Sequence, residues 1–163
     1  YEMAEDLVMD MVRKRLVTDS VTLDIGYDRE NVKNGKYNGS VHIDLYGRTV
    51  PDHAHGTVRF ERPLSSSVRI ITDTVDLYDR IINKDLTVRR ITINANNVAD
   101  EDSVADQLDL FGDIGKYAEE KKLQLAELEI RAKYGKNAIL KGLSYLDCAN
   151  ARTRNDQVGG HKA

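Results

Sequence analysis

At 163 residues, 40% of them hydrophobic, the chain can bury one ordinary core, and its single cysteine, Cys148, excludes an internal disulfide or a paired-thiol zinc site and points to the reducing cytoplasm. The net charge of −3 is unevenly spread, with 3 basic against 10 acidic residues over 99–130 and 7 against 2 over 131–163, so a near-neutral body is followed by an acidic linker and a basic tail. No apolar run reaches the roughly 20 residues of a membrane helix, and no signal-peptide pattern opens the chain.

Residues 3–17 place Met3, Leu7, Val8, Met11, Val12 and Leu16 at three- and four-residue spacings, which predicts an amphipathic helix already under way at Tyr1. That abrupt opening suggests a piece of a longer protein. In "VTLDIGYD", Val21, Leu23, Ile25 and Tyr27 alternate with Thr22, Asp24, Gly26 and Asp28, a strand with one wet face. Residues 29–53 are rich in Asn, Gly and Lys and read as a long connection, with a short extended piece at "VHIDLYG". A second strand, "HGTVRFER", points Val58 and Phe60 one way and Thr57, Arg59 and Glu61 the other.

Serine caps open "LSSSVRIITDTVDLYDRII", whose Val68, Ile71, Val75, Tyr78 and Ile82 predict a second amphipathic helix. In the third strand, "LTVRRITINANNV", Ile91 and Ile93 face one side with Arg89 at its edge. Val88, Arg90, Thr92, Asn94 and Asn96 face the other. This order of elements is most of a ferredoxin-like α+β sandwich, two helices on one face of an antiparallel sheet, lacking the strand expected before the first helix. It occupies residues 1–99, followed by the acidic linker at 100–113 and a helical, basic extension at 114–163. In the extension, Leu125, Leu128 and Ala132 are in helical register and Gly135 is placed to stop the helix, whereas the last fifteen residues read as a solvated tail.

Chemistry is sparse. Phosphate-loop, dinucleotide-binding, zinc-protease and nucleophile-elbow motifs are all missing from the sequence. His53 and His55 could share a metal from an extended segment, although no third ligand stands at suitable spacing; two polar residues entering a strand is the plainer reading. Asp24 and Asp28 could approach a magnesium site, against the commoner case of solvated strand carboxylates. Ser65, Ser66 and Ser67 suit either a cap or a bound phosphate. The wet sheet face differs from these. Arg59 and Arg90, with Thr57, Thr92, Asn94 and Asn96, supply donors for phosphate oxygens and nothing shaped to read bases, the alternative being a plain solvated face.

The stretch "HGTVRFERPLSSSVRIITDTVDLYDRII", followed by "LTVRRITINANNV" and "QLDLF", resembles the little finger domain of bacterial Y-family translesion DNA polymerases. "EIRAKYGKNAILKG" and the closing "RNDQVGGHKA" are similar to the C-terminal extension of the branch related to the DNA polymerase V catalytic subunit, in its Gram-positive form. The resemblance implies a domain that lies across primer–template duplex and holds its backbone. The basic residues of the last strand, Arg89 and Arg90, would be among the contacts, beside the wet-face donors Thr92 and Asn94 already assigned to DNA, and Arg59 and Arg62 match only in strand position and character. It further implies that Gln107, Leu108, Asp109, Leu110 and Phe111 form a pentapeptide that binds the bacterial sliding clamp. A recombinase filament is a further partner by the same likeness. Catalytic carboxylates and their Mg2+ would belong to a palm domain outside these residues, so no catalytic residue and no cofactor is assigned here. Outside the resemblance, a free-standing ferredoxin-like RNA-binding module or a structural adaptor would use the same fold.

Overall fold

The structure, a computed structural model, describes residues 1–35, 37–104, 114–158 and 161–162, the last stretch and residues 114 and 158 as backbone only. Helix α1, Glu2–Arg13, carries Glu2 and Glu5 in its first turn and Arg13 in its last, charges that complement the helix dipole. It ends earlier than the apolar spacing predicts. Arg15 adopts a left-handed backbone with φ 57°, and the chain leaves directly into strand β1, Leu16–Tyr27. After a four-residue helix α2, Glu30–Lys33, a hairpin forms from β2, Val41–Ile43, and β3, Thr49–Pro51. Strand β4, Ala54–Leu64, helix α3, Ser67–Ile81, strand β5, Val88–Asn96, and the two-residue strand β6, Ala99–Asp100, follow.

Strand β1 is central: β4 and β5 pair with it antiparallel on its two edges, and β6 continues beside its first residues. The result is the expected α+β sandwich, an antiparallel sheet with α1 and α3 on one face. One cluster joins Val8, Met11 and Val12 of α1 to Val21, Phe60 and Ile70. A second joins Leu23, Ile25 and Tyr27 to Leu77. The stripe of α3 that turns inward is Ile70, Ile71, Thr74 and Leu77, whereas Val68, expected within it, is exposed. Gly56 lies under this helix so closely that an added Cβ would stand 2.7 Å from Leu77 Cδ1.

The extension folds onto the body. Helix α4, Ile114–Tyr134, has the predicted extent but an unexpected facing. Leu128 packs against the core as its register predicts, but the buried residues are Gln124 and Glu127, whereas Leu123, Leu125 and Ile130 are exposed and Ala132 faces solvent. The tail is likewise not free over its first part: α5, Ala151–Asn155, seats Ala151 out of water. The Glu2 carboxylate accepts from Asn150 N at 3.2 Å and Ala151 N at 3.1 Å, and Arg154 pairs with Asp6. The positive excess of this segment is thus partly matched by acidic residues of α1.

Candidate nucleic-acid interface

Strand pleating puts alternate residues of β1, β4 and β5 on the sheet face away from the helices, and pairing aligns them in rows. Arg59, Ser20 and Asn96 form one row, then Thr57, Thr22 and Asn94, then His55, Asp24 and Thr92. Gly26 and Arg90 lie opposite each other in the next. The Thr22 and Thr57 hydroxyls are 2.9 Å apart, and Asn96 Nδ2 donates to Thr22 Oγ1 at 2.9 Å, so the middle of the face is a fixed hydrogen-bonded lattice. No Phe, Tyr or Trp belongs to these rows.

Arg59 and Arg90 are exposed, and neither has a carboxylate within ion-pairing distance among the described residues. They stand at diagonal corners. Six residue steps along β1, from Ser20 to Gly26, separate their rows, which is about 20 Å along the strands. Arg59 also lies near Asp19, whose carboxylate is held below its ordinary value first by the Ser20 hydroxyl, then by Asn97, with the Arg59 charge a smaller cause.

The six arginine, threonine and asparagine residues assigned to DNA from the sequence divide. Arg59, Arg90, Thr92 and Asn94 share the open face. Arg89 does not: the ladder shifts between Gly26 and Tyr27, so that Gly26 pairs with Arg90 but Tyr27 with Val88, leaving Arg89 as the extra residue of a bulge. Val88 is thereby turned into the core instead of onto the wet face, and Arg89 Nη1 comes to 3.7 Å from Asp28 Oδ2. Arg62 lines a different cleft, beside Phe60, Arg69, Asp73 and Glu120 on the helix side of the sheet. Gln107, Leu108, Asp109, Leu110 and Phe111 lie outside the described residues.

The other candidates take structural partners. His53 Nδ1 and His55 Nδ1 approach Asp24 at 3.1 and 3.7 Å, while Asp28 accepts the Glu30 N–H at 2.9 Å. Asp24 and Asp28 therefore do not converge, and among the described residues no three His, Cys, Asp or Glu side chains are grouped to hold a metal. At the start of α3 the groups a phosphate would use are taken. Glu120 accepts from Ser66 Oγ at 2.7 Å and Val68 N at 2.9 Å, and Gln124 Nε2 donates to Ser65 O at 2.9 Å and Ser67 Oγ at 2.8 Å.

Sequence reasoning missed the hairpin. Its tip is locked by Asp44, whose Oδ1 accepts Tyr46 N at 2.8 Å and Arg48 N at 3.0 Å while Oδ2 accepts Arg48 Nε at 2.8 Å. Gly47 supplies the left-handed turn residue at φ 72°. The Arg48 side-chain hydrogen bond, followed by these backbone donors, holds the Asp44 carboxyl at about 2. The readable signal was the D-x-x-G spacing at 44–47.

Among the described residues, fold and face together define an antiparallel α+β sandwich whose other sheet face is polar and carries two guanidinium groups with no carboxylate partner. Over 99% of its length the chain is similar, at 28% identity, to UvrX of Bacillus subtilis (strain 168), a protein named for UV-damage repair. It spans about a third (33%) of that relative's own length. No family model and no solved structure matches the chain. Among the described residues no helix is long and apolar enough to cross a membrane.

Proposed function

We propose that this chain is the DNA-holding, clamp-recruiting part of a translesion DNA polymerase, acting in the repair or tolerance of damaged DNA. The observation that carries the reading is the open sheet face. Two arginines without a carboxylate partner among the described residues, in rows about 20 Å apart with Thr and Asn donors fixed between them, suit phosphates of both strands across a duplex groove. Nothing on the face reads bases, so the hold is indifferent to sequence. The name of the Bacillus subtilis relative agrees with a repair role. In this reading the polymerase chemistry and its Mg2+ belong to a palm domain outside these residues, and Gln107, Leu108, Asp109, Leu110 and Phe111 tether the enzyme to the sliding clamp.

Fluorescence anisotropy with labelled duplex DNA of unrelated sequences tests this. Affinity should fall steeply with salt and vary little with sequence, because counterion release dominates phosphate contacts. The Arg59→Glu, Arg90→Glu double variant should bind at least tenfold more weakly, with a salt slope smaller by about 2. Binding that ignores salt, or survives the double reversal, would overturn the proposal. A preference for single strands over duplex would move the chain to the RNA-binding alternative, which the absence of Phe, Tyr and Trp from the rows of the face disfavours.

A further inference from the structure

At the end of the sheet face where Arg90 stands, the β2–β3 hairpin rises beside it, and a cleft of about 610 Å3 lies between them. Arg90 and Gly26 form one side, Ile43, Leu45 and Tyr46 the other. Leu45 is fully exposed and Tyr46 80% exposed, although β3 anchors the hairpin through the buried Val50 and Pro51. Apolar side chains placed on a turn this heavily braced are displayed, not merely left over. Arg48 lies over the Tyr46 ring at 4.6 Å from its centroid, covering one face with a cation and leaving the other to solvent.

We infer that the hairpin tip is a stacking platform for an unpaired nucleotide adjoining the duplex held on the sheet face, the base on Tyr46 and its neighbour's sugar against Leu45. The chemistry favours nucleic acid over a protein partner. The tip opens onto the same cleft as Arg90, which has no carboxylate partner among the described residues, and onto Arg89, whose 3.7 Å pairing with Asp28 is loose and exposed. An aromatic ring backed by one guanidinium and bordered by others is the composition that binds a base by its π-face and the flanking phosphates by charge. Gly26 keeps the floor low, since a Cβ there would already touch His53 Nε2 at 3.4 Å. The inference rests on the sheet face being a duplex site, and it adds the single-stranded neighbour.

Anisotropy with a blunt duplex and with the same duplex carrying a short unpaired extension on one strand or on the other separates the two readings. The full chain should bind one extended DNA about tenfold more tightly than the blunt duplex. Leu45→Ser with Tyr46→Ala should erase that preference and leave blunt-duplex affinity within twofold; Tyr46→Phe should retain it. Circular dichroism melts confirm that the exposed substitutions leave the fold intact. By contrast, Arg59→Glu with Arg90→Glu should weaken both DNAs. A preference that survives loss of Leu45 and Tyr46, or an equal loss on both DNAs, would overturn the stacking platform and leave the sheet face standing. So would a hairpin that affects only a protein partner. Failure of the parent to bind either DNA would overturn both.

Discussion

Glu5 on α1 and Arg131 on α4 meet at 3.6 Å, the Glu5 side chain 6% and the Arg131 side chain 14% exposed. Arg131 also stands 2.7 Å from Glu127, whose other oxygen accepts from Lys141 at 3.3 Å. The seam between body and extension is thus made of charge, and not every group in it is satisfied: Glu5 Oε1, Glu127 Oε1 and Arg131 Nε have no hydrogen-bond partner of proper geometry among the described residues. Desolvation raises the Glu5 pKa above 4.5, and the Lys141 and Arg131 charges only partly pull it back.

The sign of the pH effect follows. Because the folded pKa of Glu5 is raised, its contribution to stability is fully present below the unfolded value near 4.5 and is lost as pH rises through the folded pKa. At neutral pH the carboxylate is therefore a net burden, and Glu5→Gln should raise the melting temperature at pH 7, the advantage shrinking as pH falls through the raised folded pKa and vanishing below about 4.5. Removing the cation acts oppositely. Arg131→Met leaves Glu5 and Glu127 facing each other and should lose about 3–5 kcal/mol in urea unfolding. Equal effects of the two substitutions, or no pH dependence of the first, would show the seam to be wet.

The capped serines make a separate prediction. Glu120 occupies the N-terminus of α3, where an anion complements both the helix dipole and the free N–H of Val68. Glu120→Ala should destabilise the chain by about 1 kcal/mol. The parent should show no saturable binding of inorganic phosphate by calorimetry; binding that the variant shows, and the parent lacks or shows more weakly, would mean the carboxylate is a displaceable lid on an anion site.

How far the sequence disclosed these features depends on what each element buries. The wet face of β1 was legible because Thr22, Asp24 and Gly26 alternate with Val21, Leu23 and Ile25, and period two needs no knowledge of partners. The Arg89 bulge was not, since it exists only in the pairing of β5 with β1, and one unpaired residue sends Val88 to the opposite face. Helix α4 was found in extent and misjudged in facing for another reason. It buries Gln124, Glu127 and Arg131 against polar partners, and a search for apolar periodicity follows Leu125 and Ala132 instead. The tail was misread likewise, because what holds it is the Glu2 carboxylate, almost 150 residues away in the chain.

Gly56 offers a test of the helix–sheet packing that supports the interface. Its place in β4 opposite Leu23 brings α3 close enough that a methyl group would lie 2.7 Å from Leu77 Cδ1, and Leu77 is itself buried and unable to swing out. Gly56→Ala should destabilise by about 1–3 kcal/mol through overpacking, despite the usual gain of alanine over glycine in a strand. Duplex affinity, measured well below the melting temperature, should hardly change, since Gly56 faces the helices. A stabilised variant would mean that α3 can lift without loss.

The clamp assignment is the most exposed to refutation. If Gln107, Leu108, Asp109, Leu110 and Phe111 bind the sliding clamp as a short peptide, Leu110 and Phe111 should carry most of the energy, because a few buried apolar anchors dominate small interfaces. Truncating one such anchor to alanine commonly costs about 2 kcal/mol, roughly a thirtyfold loss of affinity. Leu110→Ala with Phe111→Ala should therefore drop binding to the bacterial clamp to the detection limit of surface plasmon resonance. If the pentapeptide serves the clamp alone, the melting temperature and the affinity for duplex DNA should match the parent. A large drop in melting temperature with clamp binding unchanged would place the two side chains in the fold and remove the pentapeptide from the function.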